Sequence, residues 1–165
     1  MSSALDGFGL AARRLCDALE RPGEDRQAAL AELLAALAGV YAAALGLQRD
    51  DFGEWEPLEM PSPDAERGQR VARHVEELVG ARRWYWLALE PDALAGNDEI
   101  GCGDLVDDLQ DIYADIEPGL RAWESGVGSK AALAFEWMHR FGGHWGVHAT
   151  QAMRALHEVV FARGS

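Results

Sequence analysis

Apolar residues recur at intervals of three and four along most of this 165-residue chain. The clearest run places its large side chains on one side of a helix: Leu30, Leu33, Leu34, Leu37, Val40, Tyr41 and Leu45. The alternation of apolar and polar residues that is typical of half-buried strands is almost absent. A chain with this pattern buries its apolar residues by packing helices against one another. The spacing therefore predicts an all-α fold.

Start and stop signals predict three helices in the first half of the chain. The first is expected over residues 3–20 and the second over residues 24–46. The third is expected over residues 62–82, with Ser62 as its N-cap and Glu66 completing a capping box.

Residues 47–63 interrupt the helical pattern. They contain three prolines and mixed charges, together with Phe52, Trp55, Leu58 and Met60. This composition predicts an ordered loop that lays its apolar side chains over the helices.

Two further helices are predicted in the second half. Residues 82–90 are compatible with either a helix or an extended segment, and residues 92–103 predict a glycine-rich loop. A helix then starts near Asp104, and Pro118 is expected to end or kink it near Glu117 because proline lacks a backbone donor.

The last helix is expected over residues 129–162, with Gly142, Gly143 and Gly146 as the points where it bends. Together the elements predict an antiparallel bundle of about five helices that occupies residues 1–165 as a single domain, with a long aromatic-bearing loop between helices 2 and 3.

The net charge of -13 at pH 7 argues against two classes of partner. Such a surface is repelled by nucleic-acid phosphates and by anionic membranes. A basic protein or a metal cation is the partner that this charge favours, although acidity alone also serves solubility.

The two cysteines, Cys16 and Cys102, stand in unrelated contexts, which is typical of a reducing compartment. The N-terminal residues lack the basic and apolar regions of a secretion signal. Residues 29–47 are apolar but include Glu32 and many alanines, which favours a core helix over a membrane span. A cytoplasmic location is therefore expected.

The predicted helix near residue 104 carries acidic and apolar residues on opposite faces. The aspartates are Asp104, Asp107, Asp108, Asp111 and Asp115. The apolar residues are Leu105, Leu109, Ile112, Tyr113 and Ile116. The first three aspartates suit a helix N-terminus, whereas Asp111 and Asp115 are placed where like charges cost a few tenths of a kcal/mol, roughly. Three interpretations stay open: a solvated or internally paired face, a divalent metal site, and a docking face.

The last predicted helix carries His144 and His148, a spacing that lets two imidazoles reach one zinc or iron ion. Trp137 is on the same stripe, and Trp145 borders its apolar side. Trp145 also occupies the position where a metalloprotease helix has its glutamate, so that motif is incomplete.

Taken together, the aspartate helix and the histidine helix leave three alternatives open. The histidines form hydrogen bonds with Asp111 or Asp115, or they bind a metal together with aspartates, or the aromatic edge binds a partner.

Three segments resemble a bacterial family, the domain of unknown function 5063 family. They are "WYW" at 84–86 with Pro91, "GDLVDDLQDIYADI" at 103–116, and "HWGVHATQAMRALH" at 144–157. The resemblance implies a compact, mostly helical bacterial protein without an established activity. It also implies that the aspartate and histidine helices form one linked feature. The family pattern further implies that the aspartate helix is continuous, and Pro118 differs from that pattern.

The sequence favours a non-enzymatic binding or interaction module, with a regulatory role and without a cofactor. Its expected surface consists of the five aspartates with Trp137, His144, Trp145 and His148. The alternative is a metal-binding protein or metal-dependent hydrolase that holds a divalent ion. The ligands would then be Asp108, Asp111, Asp115, His144 and His148.

Overall fold

The computed structural model describes residues 3–47, 58–88 and 100–161. The helices are α1 (Ala4–Glu20), α2 (Arg26–Leu47), α3 (Ala65–Val79), α4 (Leu105–Ser125), α5 (Lys130–Arg140) and α6 (Gly146–Phe161). A 3-10 turn (Gly80–Arg83) precedes strand β1 (Trp84–Ala88), which pairs with β2 (Ile100–Asp104). A π-helical turn (Phe141–Trp145) joins α5 to α6 without a break. Over the described ranges the chain thus forms five helical rods and one hairpin, and the all-α prediction is confirmed.

Helix α2 is the most apolar element. Its length and its mean hydropathy of 1.9 would by themselves suit a membrane span. In the structure Leu33, Leu37 and Val40 are fully buried, and the helix contacts α1 and α6. These are the contacts of the core helix that the sequence predicts.

Two tryptophans form the centre of the core. The ring of Trp137 lies 4.5 Å from that of Phe8, and the ring of Trp145 lies 4.8 Å from that of Phe141. Gly119 allows this packing, because a Cβ there would lie 2.3 Å from the indole nitrogen of Trp137. Both indoles are fully buried, so the prediction that they belong to a binding surface is wrong. Large aromatic side chains bury more apolar area than any others, so they are most stable in the core.

The start of α3 differs from the prediction. Asp64, not Ser62, caps the helix, and its side chain accepts a hydrogen bond from the backbone N–H of Arg67 at 3.0 Å. The carbonyl of Ser62 instead accepts a hydrogen bond from Arg121 at 2.5 Å. Both residues are good caps, and tertiary contact decides between them.

The hairpin replaces part of a predicted loop. Residues 84–88 are extended, and Trp84 pairs with Asp104 while Tyr85 pairs with Gly103. The glycine-rich loop prediction is therefore wrong for residues 100–103, while residues 89–99 lie outside the described ranges. Strand β2 has too few large side chains to produce a detectable alternation.

Pro118 is expected to end or kink the helix near Glu117, and the first of these two alternatives is wrong, because α4 continues through Pro118 to Ser125. Pro118 is buried, and the indole N–H of Trp137 donates a 3.5 Å hydrogen bond to the carbonyl of Ile116, so the helix is packed against the core on both sides of the missing backbone donor.

The predicted loop over residues 47–63 falls mostly outside the described ranges, and Phe52 and Trp55 lie there. Leu58 and Met60 are described, and both are partly buried against the core. These two residues therefore cover the helices as predicted.

A buried carboxylate links α4 to α3. Glu117 is fully buried, and its Oε1 accepts a hydrogen bond from Arg67 at 2.7 Å and lies 2.8 Å from Nε of Arg121. Arg67 also donates to Glu20 at 2.7 Å. Burial raises the pKa of Glu117 above its usual value. The two guanidinium groups therefore compensate a charge that burial disfavours.

We predict that Arg67→Ala lowers the free energy of unfolding by about 3 kcal/mol, because the buried carboxylate of Glu117 loses one of its two cations. The matched control, Arg14→Ala, removes an exposed ion pair with Glu32 and is expected to cost less than about 1 kcal/mol. Urea denaturation followed by circular dichroism measures both losses. Equal losses in the two variants would contradict the role given to Arg67.

Candidate functional site

The aspartate face of α4 lies against the π-helical turn and α6. Asp108, Asp111 and Asp115 share one side of α4 because they are spaced by three and four residues. Asp108 pairs with His148, and Asp115 pairs with His144. The two helices therefore run antiparallel at this contact, with Asp111 between the two pairs.

The first pair is anchored by the hairpin. Nδ1 of His148 lies 2.7 Å from Oδ1 of Asp108, a buried carboxylate. The other oxygen of Asp108 accepts a hydrogen bond from the hydroxyl of Tyr85 on β1. Burial, followed by the bond to Asp108, raises the pKa of Tyr85, so this hydroxyl keeps its proton and remains a donor. Both oxygens of Asp108 thus have partners.

The second pair is anchored by α5. Nδ1 of His144 lies 2.7 Å from Oδ2 of Asp115, which is also buried. Arg140 donates to the other oxygen of Asp115 at 2.9 Å. Each buried carboxylate therefore uses one oxygen to hold an imidazole and the other to bind a separate donor.

The π-helical turn brings His144 to α4. An extra residue in this turn changes the direction of the side chains that follow it, and such turns are often found at functional sites. Gly146 is required here, because a Cβ would lie 2.5 Å from the carbonyl oxygen of Phe141. With the backbone in this conformation, the side chain of Trp145 lies in the core, while the neighbouring side chain of His144 is 51% exposed.

Asp111 completes the group. Nε2 of His148 lies 3.8 Å from Oδ2 of Asp111. One donor atom from each of Asp111, His144 and His148 lies within 4.8 Å of the other two. Burial, followed by repulsion from Asp107, raises the pKa of Asp111 above its usual value. A cation placed among these three side chains would offset that repulsion.

This arrangement has the features of a metal site. Because Nδ1 of each imidazole is held by a carboxylate, Nε2 is the ring nitrogen left for a metal ion, as in carboxylate–histidine–metal triads. Donors around a tetrahedral zinc ion lie about 3.3 Å apart. The donor atoms lie up to 4.8 Å apart, so binding of such an ion requires them to move closer together.

The aspartates that the sequence predicts as site residues have different roles in the structure. Asp108 and Asp115 hold imidazoles, whereas the sequence alternative had them as metal ligands. Asp104 caps α4 and binds Arg83 at 2.7 Å, so it does not belong to an open acidic face. Asp107 is exposed and lies next to the group.

Two residues of the site, Tyr85 and Arg140, have no signal of this role in the sequence. Tyr85 belongs to an aromatic segment that looks like a core anchor, and Arg140 has the composition of an ordinary helix surface. Only the tertiary contact with α4 reveals their roles.

Comparison with known proteins supports the fold but not an activity. The family model described as Domain of unknown function (DUF5063) matches residues 2–162. The crystal structure of protein BF1032 from Bacteroides fragilis resembles this chain with a TM-score of 0.72 and 21% identity, over 99% of this chain and 96% of that one. At this identity the likeness establishes the fold alone. No curated protein matches the chain significantly.

We predict that Asp111→Asn raises the melting temperature of the metal-free protein at pH 7 by about 1 °C, because it removes a like-charge repulsion worth a few tenths of a kcal/mol. The folded pKa of Asp111 is raised, so ionisation costs stability as pH rises above the ordinary value of 3.8. The difference between variant and wild type should therefore shrink near pH 4.

Differential scanning calorimetry in the presence of a chelator measures this effect. A lower melting temperature for Asp111→Asn at pH 7 would contradict the prediction, because it would mean that attraction to His144 and His148 outweighs the repulsion.

Proposed function

The chain belongs to the Domain of unknown function (DUF5063) family, and we propose that it is a metal-binding protein. Asp111, His144 and His148 are the proposed ligands of one divalent transition-metal ion. Asp108 and Asp115 are positioning residues that hold the two imidazoles.

One observation carries the proposal: each histidine is fixed through Nδ1 by a different buried carboxylate, while both rings border the same third carboxylate. A histidine that serves only the core needs a single hydrogen-bond partner, and two such histidines need not meet. Here His144 and His148 lie with ring centroids 4.8 Å apart, beside Asp111. The shared location favours a common ligand.

The donor set favours particular metals. Two imidazole nitrogens and one carboxylate suit zinc, iron or manganese, whereas magnesium and calcium prefer oxygen ligands. The carboxylate bonds of Asp108 and Asp115 fix the orientation of the imidazoles, which strengthens metal binding.

A docking role for the same surface has less support. Trp137 and Trp145 are buried, and Asp104 is engaged by Arg83. Of the acidic residues expected to face a basic partner, Asp107 is exposed and Asp111 is partly covered. The remaining acidic surface is small, so metal binding is the function that we propose.

We predict that the untagged chain binds one zinc or cobalt(II) ion, as measured by isothermal titration calorimetry. His148→Ala and Asp111→Asn are each expected to weaken binding by about 100-fold or more, because each removes a ligand. Asp108→Asn and Asp115→Asn are expected to weaken it by about 10- to 100-fold, because each leaves its imidazole poorly oriented.

The matched control is His139→Ala, which removes an exposed imidazole of α5 outside the group. It should leave the affinity and the stoichiometry unchanged. Absence of binding by the wild type, or equal losses in His139→Ala and His148→Ala, would overturn the proposal.

A further inference from the structure

We infer that the metal ion keeps one coordination position open to an exchangeable ligand, and that this position accepts an uncharged molecule in preference to phosphate. The inference rests on the proposed function, and concerns what the bound ion can take up. It assigns the ligands Asp111, His144 and His148 to an open site of the kind found in metalloenzymes rather than to a closed structural site.

The number of protein donors indicates an open site. Structural zinc sites have four protein ligands, whereas catalytic ones have three and a water molecule. In the described ranges the candidate group contains three donor residues. Asp108 and Asp115 cannot easily supply a fourth, because both oxygens of each already have partners.

The location of the donors also indicates an open site. The side chain of Asp111 is 39% exposed, and that of His144 is more exposed still, so water reaches the edge of the group. Asp108 and Asp115, which only hold the imidazoles, are buried. The supporting carboxylates are thus buried, whereas two of the three ligands, Asp111 and His144, are exposed enough for water to reach the ion.

The charge around the group decides which ligands it favours. Asp107, Asp108, Asp111 and Asp115 lie in or next to it, and Arg140 binds one of them. Arg154, farther along α6, acts electrostatically on Tyr85, but it also lies 3.6 Å from Glu158, so these two opposite charges cancel in the count. Four carboxylates against one guanidinium and a divalent ion leave the site negative, within a chain whose net charge is -13. Phosphate is therefore repelled, whereas a neutral donor is not.

Ligand exchange on the cobalt(II)-loaded, untagged full chain tests the inference. At pH 8 the protein is titrated with imidazole, which is mostly neutral there, and separately with inorganic phosphate, while the visible absorption of cobalt is recorded. Desalting followed by metal analysis confirms that cobalt stays bound. We expect a saturable spectral change with imidazole, and an apparent Kd for phosphate that is at least about tenfold higher.

Three outcomes would overturn the inference. Retained cobalt without a spectral change from either ligand means a closed site, and a response that appears only in Asp107→Asn identifies Asp107 as the fourth ligand. Phosphate binding as tightly as imidazole overturns the preference for an uncharged ligand. Failure to bind cobalt at all is a different result, because it overturns the proposed function itself.

Discussion

The burial of two aspartates, Asp108 and Asp115, is the constraint on which the rest of the site depends. A buried carboxylate loses its hydration, and only hydrogen-bonded or charged partners offset that cost. Each aspartate obtains two partners from different elements: the hairpin and α6 serve Asp108, while α5 and the π-helical turn serve Asp115. These bonds fix the register of α4 against the segments that face it.

That register determines where the remaining polar groups meet. Asp111 lies between the two carboxylate–histidine pairs, so its carboxylate is close to the rings of both His144 and His148. The π-helical turn is the second requirement, because it turns Trp145 into the core and leaves His144 on the side of α4. Burial at this contact, followed by repulsion from Asp107, raises the pKa of Asp111, whereas the two histidines act in the opposite direction.

Much of the fold could be predicted from the sequence because helical periodicity is a local signal. The aspartate and histidine helices also stood out, since Asp115 is a poor mid-helix residue and His144 and His148 share a spacing with metal motifs. Tertiary contacts determined the rest. The hairpin could not be predicted because β2 consists mostly of small residues. Helix α4 continues past Pro118, which is buried in the core. Which aspartates hold imidazoles and which one lies between them depends on how the helices pack.

X-ray diffraction from crystals soaked in zinc, recorded on both sides of the zinc absorption edge, tests the central claim most directly. We predict one strong anomalous peak about 2.0–2.2 Å from a carboxylate oxygen of Asp111 and from Nε2 of both His144 and His148. The Nδ1 bonds to Asp108 and Asp115 should remain intact. The absence of a peak there, or a peak whose ligands are Asp108 and Asp115 with both imidazoles displaced, would contradict the account.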